Sequence, residues 1–286
     1  MAVIRALFVY PVKSCGGIAL DAAQLRAEGL EWDRHWMVVD EAGRMVSQRE
    51  HPRMARIVCA FVEDGVRLSC ADLDSELILP FAPAAEARRV SATVWRDTVD
   101  ALDEGDEAAR WMTRAVGLPV RVVRFAPDAT RHANRKWTNG ADVPTQFADG
   151  YPLLVTSEAS LADLNARLAA KGAPAVPMNR FRPNLVVEGE GAFEEDFVET
   201  MAIDGGAVVL RFAKPCDRCP ITTLDHRTGE RDPRWAGEPL DTLMTFRADP
   251  RVNGGLTFGM NATVVAGAGR RIAVGAPVRW ELRFDE

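Results

Sequence analysis

Lys214-Pro-Cys-Asp-Arg-Cys-Pro-Ile-Thr-Thr-Leu-Asp225 sets two cysteines three positions apart, in a turn between two stretches of strand-forming sequence. A Cys-x-x-Cys pair has four common chemistries, and the flanking residues weigh them. A thioredoxin-like dithiol sits where a strand gives way to a helix. Here Pro220 is followed by Ile221, Thr222 and Thr223, β-branched residues that favour a strand. A structural zinc site needs four ligands, and the remaining cysteines, Cys15, Cys59 and Cys70, are single and widely scattered. Two buried, inert cysteines are the plainest alternative. Arg218 between the pair favours the fourth chemistry, one cysteine binding a soft metal, because a cation beside a thiol stabilises the thiolate.

Outward from the pair, residues 185–188 form an apolar strand preceded by Arg182-Pro183-Asn184, where the proline ring biases Arg182 to an extended backbone. The acidic run Glu194-Glu-Asp196 reads as a solvated face with Phe193 and Phe197 tucked in. Residues 153–156 form a strand leading into a helix, with Ser157 as N-cap, Leu161, Leu164 and Leu168 on the buried face and Gly172 as the stop. Residues 126–150 are polar and aperiodic, either a connecting loop or a flap over a site, and His132 within them is an isolated candidate proton donor.

A helical period over 104–116 puts Ala108, Trp111, Met112, Ala115 and Val116 on one face with Gly117 as C-cap, and 119–125 follows as a strand. The first hundred residues read as a meander: a strand at 3–12, a hairpin of 36–40 with 45–48, and another of 56–61 with 66–70. Lys13 and Ser14 follow a strand end and Arg34 precedes a strand; taken alone, each is a solvated loop residue. Cys15 reads as a small packed side chain. Beyond the cysteine pair come a short helix at 238–247 and closing strands at 257–265 and 277–284.

Five segments carry a resemblance in the same order along the chain: Tyr10-Pro-Val-Lys-Ser14, Ser157-Glu-Ala-Ser-Leu-Ala-Asp-Leu-Asn165, Phe181-Arg-Pro-Asn184, Cys216-Asp-Arg-Cys219-Pro-Ile-Thr-Thr-Leu-Asp225 with Thr228-Gly229, and Phe258-Gly-Met-Asn261. Together they resemble the MOSC-domain proteins, and among them the mitochondrial amidoxime reducing components and their bacterial counterparts. The resemblance implies the molybdenum cofactor (Mo-molybdopterin), with Cys219 as metal ligand and catalytic residue and Cys216 in support. It also implies that Lys13, Ser14, Arg34, Gly150, Tyr151, Arg182, Asn184, Arg218 and Asn261 contact the cofactor, Gly150 and Tyr151 through their backbone. A basic side chain and a hydroxyl suit its phosphate, since they offer charge-assisted and neutral donors from different directions.

The 286 residues, 47% hydrophobic, are ample for a buried core. A net charge of −6 argues against a general nucleic-acid binder and leaves any anion site to be built from a few local Lys and Arg side chains. An odd cysteine count without disulfide-like spacing fits a reducing compartment. The apolar run at 6–12 is cut by Pro11 and Lys13, and no later run approaches a membrane span. The expectation is a soluble cytoplasmic protein without the N-terminal targeting and anchoring segment of the mitochondrial relatives.

The expected fold is α+β and β-rich: a MOSC β-barrel domain at 121–286 packed with a smaller MOSC N-terminal β-rich region at 1–120, the first strands contributing to the cofactor site. The expected function is an oxidoreductase that reduces N-hydroxylated compounds such as amidoximes, hydroxylamines and N-oxides by oxygen-atom removal at the metal. A carrier of the cofactor or of sulfur, without reductive turnover, is the alternative, and fold alone does not separate them. No cysteine follows Cys219, the chain ends at Glu286 after the last strand, and no Gly-x-Gly-x-x-Gly follows a strand. Electrons are therefore expected from a separate donor protein, a ferredoxin, flavodoxin or cytochrome with its reductase.

Overall fold

The computed structural model describes residues 2–189 and 191–283. Its largest sheet runs in the order Ile18–Leu20, Ile4–Val9, Leu185–Val187, Leu153–Ser157, Gly255–Ala266, Val208–Asp217, Val198–Ile203, Val278–Leu282, with Ala248–Asp249 added beside Gly255–Ala266. All neighbours are antiparallel except Leu153–Ser157 and Leu185–Val187. Parallel strands need a crossover, and the helix Glu158–Ala170 supplies it. One face of the sheet buries Ile4, Leu7, Val155, Leu185, Leu210, Phe212 and Met260 in a common core.

The first strand thus pairs with a strand some 180 residues later, Leu7 opposite Leu185. A second body holds the sheet Trp36–Val39, Arg121–Phe125, Asp97–Asp103, Arg89–Val94 and the three-stranded sheet Val58–Val62, Gly65–Ser69, Leu77–Pro80. The helix Gly105–Val116 packs on it through Ala108, Trp111, Met112, Ala115 and Val116, the face its period predicts, and Gly117 ends it at φ 90. The architecture is β-rich α+β, as expected.

The helix after residue 157 also matches its signals: Ser157 Oγ accepts from the Ser160 backbone N–H, and Leu164 and Leu168 are fully buried. The hairpin at 56–61 and 66–70 forms as Val58–Val62 with Gly65–Ser69. The hairpin expected at 36–40 and 45–48 forms only in part, as a single bridge between Val39 and Met45. The closing strand expected at 277–284 is Val278–Leu282, and its expected end, Phe284, lies outside the described residues.

Three local expectations fail. Ile221-Thr222-Thr223 is not strand but a 3₁₀ turn, Pro220–Thr223. Pro220 opens it without needing a backbone donor, and the hydroxyls of Thr222 and Thr223 donate back to the carbonyls of Cys219 and Pro220, a local bond that outcompetes the strand ladder. Arg182 is left-handed (φ 54, ψ 47) rather than extended, because it caps the 3₁₀ turn Met178–Phe181 with its N–H on the Asn179 carbonyl. The acidic run is not a solvated face either. Glu195 is fully buried and accepts from Ser160 Oγ, Asp196 is buried and pairs with Arg247 at 2.6 Å, and Phe197 is the exposed residue. Long-range partners, invisible in the run itself, reverse the exposure of these three residues.

Candidate functional site

At one end of the large sheet, where Ile4–Val9 finishes and Leu153–Ser157 and Leu185–Val187 begin, a cleft separates the two bodies. Its lining includes every residue singled out from the sequence as a site residue: Lys13, Ser14, Arg34, Gly150, Tyr151, Arg182, Asn184, Arg218, Cys219 and Asn261. Cys216 lines it as well, while Cys15 is packed beneath.

The strand Val208–Asp217 delivers the cysteines. It breaks register against Gly255–Ala266 between Phe212 and Lys214 and again between Pro215 and Asp217. Such irregularities re-aim side chains next to sites, and here they bring Cys216 to the cleft wall just before the 3₁₀ turn that holds Cys219. Both thiols are half-buried and free. Arg218 donates through Nη1 to Cys216 Sγ at 2.8 Å and through Nη2 to the Phe181 carbonyl at 2.6 Å. The cation beside a thiol is therefore real, but it serves Cys216. Burial pushes that thiol's pKa up, and the Arg218 charge only opposes the rise.

Asn184 ties three strands at the cleft floor. Its Oδ1 accepts from Leu154 N at 3.1 Å and Arg34 Nη1 at 3.2 Å, and its Nδ2 donates to the Phe8 carbonyl. Asn261, opposite Leu154 in register, donates to the Lys214 carbonyl at 3.2 Å. Arg34 also forks onto Asp33 at 2.7 Å; burial is the largest influence and pulls its pKa down, but the charge and hydrogen bond of Asp33 together with Tyr10 and Asp149 hold it above the ordinary value. Arg182, 9% exposed, donates to the Cys15 carbonyl at 2.7 Å, and burial followed by the like charge of Arg34 draws its pKa down. The two guanidinium groups flank the Tyr10 ring at 4.3 and 4.2 Å from its centroid. Cation–π attraction of this kind lets a single buried ring hold two like charges. Burial pushes the Tyr10 hydroxyl up to about 12, so the ring stays neutral between them.

Lys13 is buried and donates to the Phe147 carbonyl at 2.8 Å and to Asp149 Oδ1 at 2.5 Å. Burial lowers its pKa and Asp149 resists the change. Partial desolvation by the cleft walls would raise Asp149, but Lys13 and the Trp95 indole N–H hold its carboxyl well below the carboxylate range. Its side chain is 76% exposed, so solvent screens the pair.

Backbone strain gathers in the same place. Nine non-glycine residues among those described have positive φ, and four of them, Ser14, Arg34, Trp95 and Arg182, line the cleft. Such conformations cost roughly 1–3 kcal/mol each and persist where the surroundings over-determine them, as at binding sites.

Residues 126–150 contribute a wall rather than a free flap. Arg131 is buried and donates to the carbonyls of Gln146, Ala148 and Asp149, which fixes the end of the segment against Lys13. His132 is exposed and faces a different hollow, so it is not part of this site. Sequence reasoning missed Ser47, Gln48, Trp95 and Asp149, all of which line the cleft. The one signal present was Trp95-Arg96 at a two-residue turn between the paired strands Arg89–Val94 and Asp97–Asp103.

Residues 1–119 match the family described as the MOSC N-terminal beta barrel domain, and residues 142–279 match the MOSC domain. The mitochondrial amidoxime reducing component 2 of Bos taurus is 36% identical over 255 residues, covering 86% of this chain and 73% of its own. The chain belongs to the MOSC-domain family. The mitochondrial amidoxime-reducing component 1 of Mus musculus is 35% identical over the same shares of this chain and 72% of its own, and that of Danio rerio 32% over 92% and 81%. Among solved structures, the YUAD protein from Bacillus subtilis aligns over 97% of this chain and 94% of its own at 10% identity and a TM-score of 0.42. Lys13, Ser14, Arg34, Ser47, Gln48 and Trp95 come from the MOSC N-terminal match and the other cleft residues named above from the MOSC match, so the cleft is built at the junction of the two.

Proposed function

We propose that the cleft holds the molybdenum cofactor and that the protein is an oxidoreductase reducing N-hydroxylated compounds with electrons from a separate donor protein. The observation that carries this reading is one cleft in which Cys219 faces four cations, Lys13, Arg34, Arg182 and Arg218, in a chain of net charge −6. Among the described residues no carboxylate pairs with Arg182 or Arg218. A buried and a half-buried cation left without counter-charges suit an anionic ligand, and a phosphate takes donors from several directions.

The remaining donor set fits the same group. Arg218 Nε and the Tyr151 hydroxyl are buried at the cleft without hydrogen-bond partners among the described residues, as befits a polar ligand. No group of three or more His, Cys, Asp and Glu among the described residues is disposed to hold a metal ion. A metal at Cys219 would therefore bring most of its ligands with it, as a pterin-borne metal does. When bound, the centre supplies the two-electron chemistry that turns an N-hydroxyl group into an N–H and water.

The chain's own residues would do the rest. The Tyr10 sandwich fixes Arg34 and Arg182, Asn184 locks Arg34 to the sheet, and Arg218 orients the wall that carries both thiols. A separate donor is favoured because the five cysteines are free and offer no four-thiol cluster set within these 286 residues. The same free thiols favour a reducing compartment such as the cytoplasm. Among the described residues no helix is long and apolar enough to cross a membrane.

The test is molybdenum and pterin content of the purified protein, followed by reductase assays on amidoximes, hydroxylamines and N-oxides. Near-stoichiometric metal and pterin with turnover of at least one class is expected. Absence of both metal and pterin would overturn the reading. Full loading with no turnover would point instead to a carrier of the cofactor.

A further inference from the structure

Gln48 is 1% exposed and lines the cleft, yet neither its Nε2 nor its Oε1 has a hydrogen-bond partner among the described residues. A buried amide with both ends unmatched is costly, and buried polar side chains are ordinarily satisfied. The side chain is not loosely held. Val46 is buried in the core of the N-terminal body, and the Ser47 carbonyl accepts from the backbone N–H groups of Glu50 and His51, fixing the turn that follows Gln48. Arg49 then lays its guanidinium 4.9 Å from the Trp95 ring centroid, and the Trp95 indole donates to Asp149 at 3.0 Å. Gln48 and Trp95 therefore belong to one braced wall of the cleft, whose lining also includes Cys216 and Cys219.

A carboxamide presents one donor and one acceptor side by side in a plane. Its complement is a flat group with an acceptor and a donor on neighbouring positions. We propose that Gln48 is a recognition residue for such a planar N–C–N or N–C–O edge on the ligand of this cleft. The inference rests on the function proposed above, under which two ligands carry that edge: the amidine portion of an amidoxime substrate, and the aminopyrimidinone ring of the pterin. A simple hydroxylamine carries none, so in the first case Gln48 sets substrate preference. A site built to pair a polar group discriminates strongly against ligands that leave it unpaired.

The experiment compares wild type with Gln48→Met, which keeps the length and removes both hydrogen-bonding atoms, and with Gln48→Glu, which keeps the shape and removes the donor. Pterin per protein is measured after release and oxidation. Affinities of the pterin-loaded proteins for benzamidoxime and for phenylhydroxylamine are measured by calorimetry. If the edge is the substrate's, pterin stays full and benzamidoxime affinity falls by roughly 10-fold or more, while phenylhydroxylamine changes by less than about 3-fold. If the edge is the pterin's, pterin content falls below about half in both variants, with ligand affinities per loaded protein unchanged. Full pterin with both ligands weakened alike, or with neither changed, overturns the proposal and leaves Gln48 paired by solvent. Wild-type protein that keeps its pterin and binds benzamidoxime but never reduces it would sink the proposed function while leaving the Gln48 result readable.

Discussion

Cys216 and Cys219 share a cleft but not a surrounding: Arg218 donates to the first, while the second opens the 3₁₀ turn with its carbonyl bonded by Thr222. If Cys219 is the metal ligand, Cys219→Ser replaces a soft thiolate by a hard, protonated hydroxyl and should abolish turnover with pterin still bound. Cys216→Ser should keep most activity, and equal loss in both would indicate a shared dithiol or metal site instead. Arg182→Ala removes a buried cation that also stacks on Tyr10 and bonds Cys15. Pterin retention through purification should fall several-fold, and full occupancy with unchanged activity would remove Arg182 from the cradle. These residues were legible because they sit in contiguous motifs. Gln48, Trp95 and Asp149 were not, since Trp95 and Asp149 acquire their places through partners tens of residues away, Arg49 and Lys13, and Gln48 lines the cleft only through the fold that brings its turn there.

Helices announced themselves through caps and period, as Ser157 and Gly117 show, because those signals are local. The cysteine turn did not, since Thr222 and Thr223 spend their hydroxyls on backbone carbonyls instead of joining a ladder. The strand Gly255–Ala266, which runs beside both the cysteine strand and Leu153–Ser157, depends on one glycine. Gly259 has φ +77, and a Cβ there would lie 2.6 Å from Thr156 Cγ2 and 2.7 Å from the Val155 carbonyl oxygen. Backbone strain and a clash with a neighbouring main chain both follow, so Gly259→Ala should destabilise the fold by about 2 kcal/mol or more. A denaturation midpoint within experimental error of wild type would show that the two strands can separate locally without cost. Asn261, two residues on, should lose its bond to Lys214 in the same variant, and pterin retention should drop with stability.

Across the whole molecule, the cleft exists because Ile4–Val9 joins the sheet of the later strands and leaves Lys13 and Ser14 facing the cysteine turn. Two half-buried histidines make that packing sensitive to acid. Burial lowers His35 to about 4, and burial with the charges of Arg182 and Arg180 lowers His226 to about 3, against an ordinary value of 6.5. Folded values below the unfolded one mean that the stability is fully present above about pH 6.5 and is lost as pH falls toward 4, by at most about 1.4 kcal/mol per pH unit for each ring. His35→Gln should flatten the slope of urea midpoint against pH between 6.5 and 4.5, and an unchanged slope would assign the acid sensitivity elsewhere. The proposed function at this scale rests on electrons reaching the cleft from outside the chain. The most direct measurement is turnover of an amidoxime by pterin-loaded protein, with reduced viologen in one arm and NADH alone in the other. Sustained reduction with viologen, none with NADH, and loss of the viologen rate in Cys219→Ser is the predicted result. Inactivity with viologen at full molybdenum and pterin content would contradict the reductase reading, and steady turnover on NADH with no added protein would contradict the separate donor.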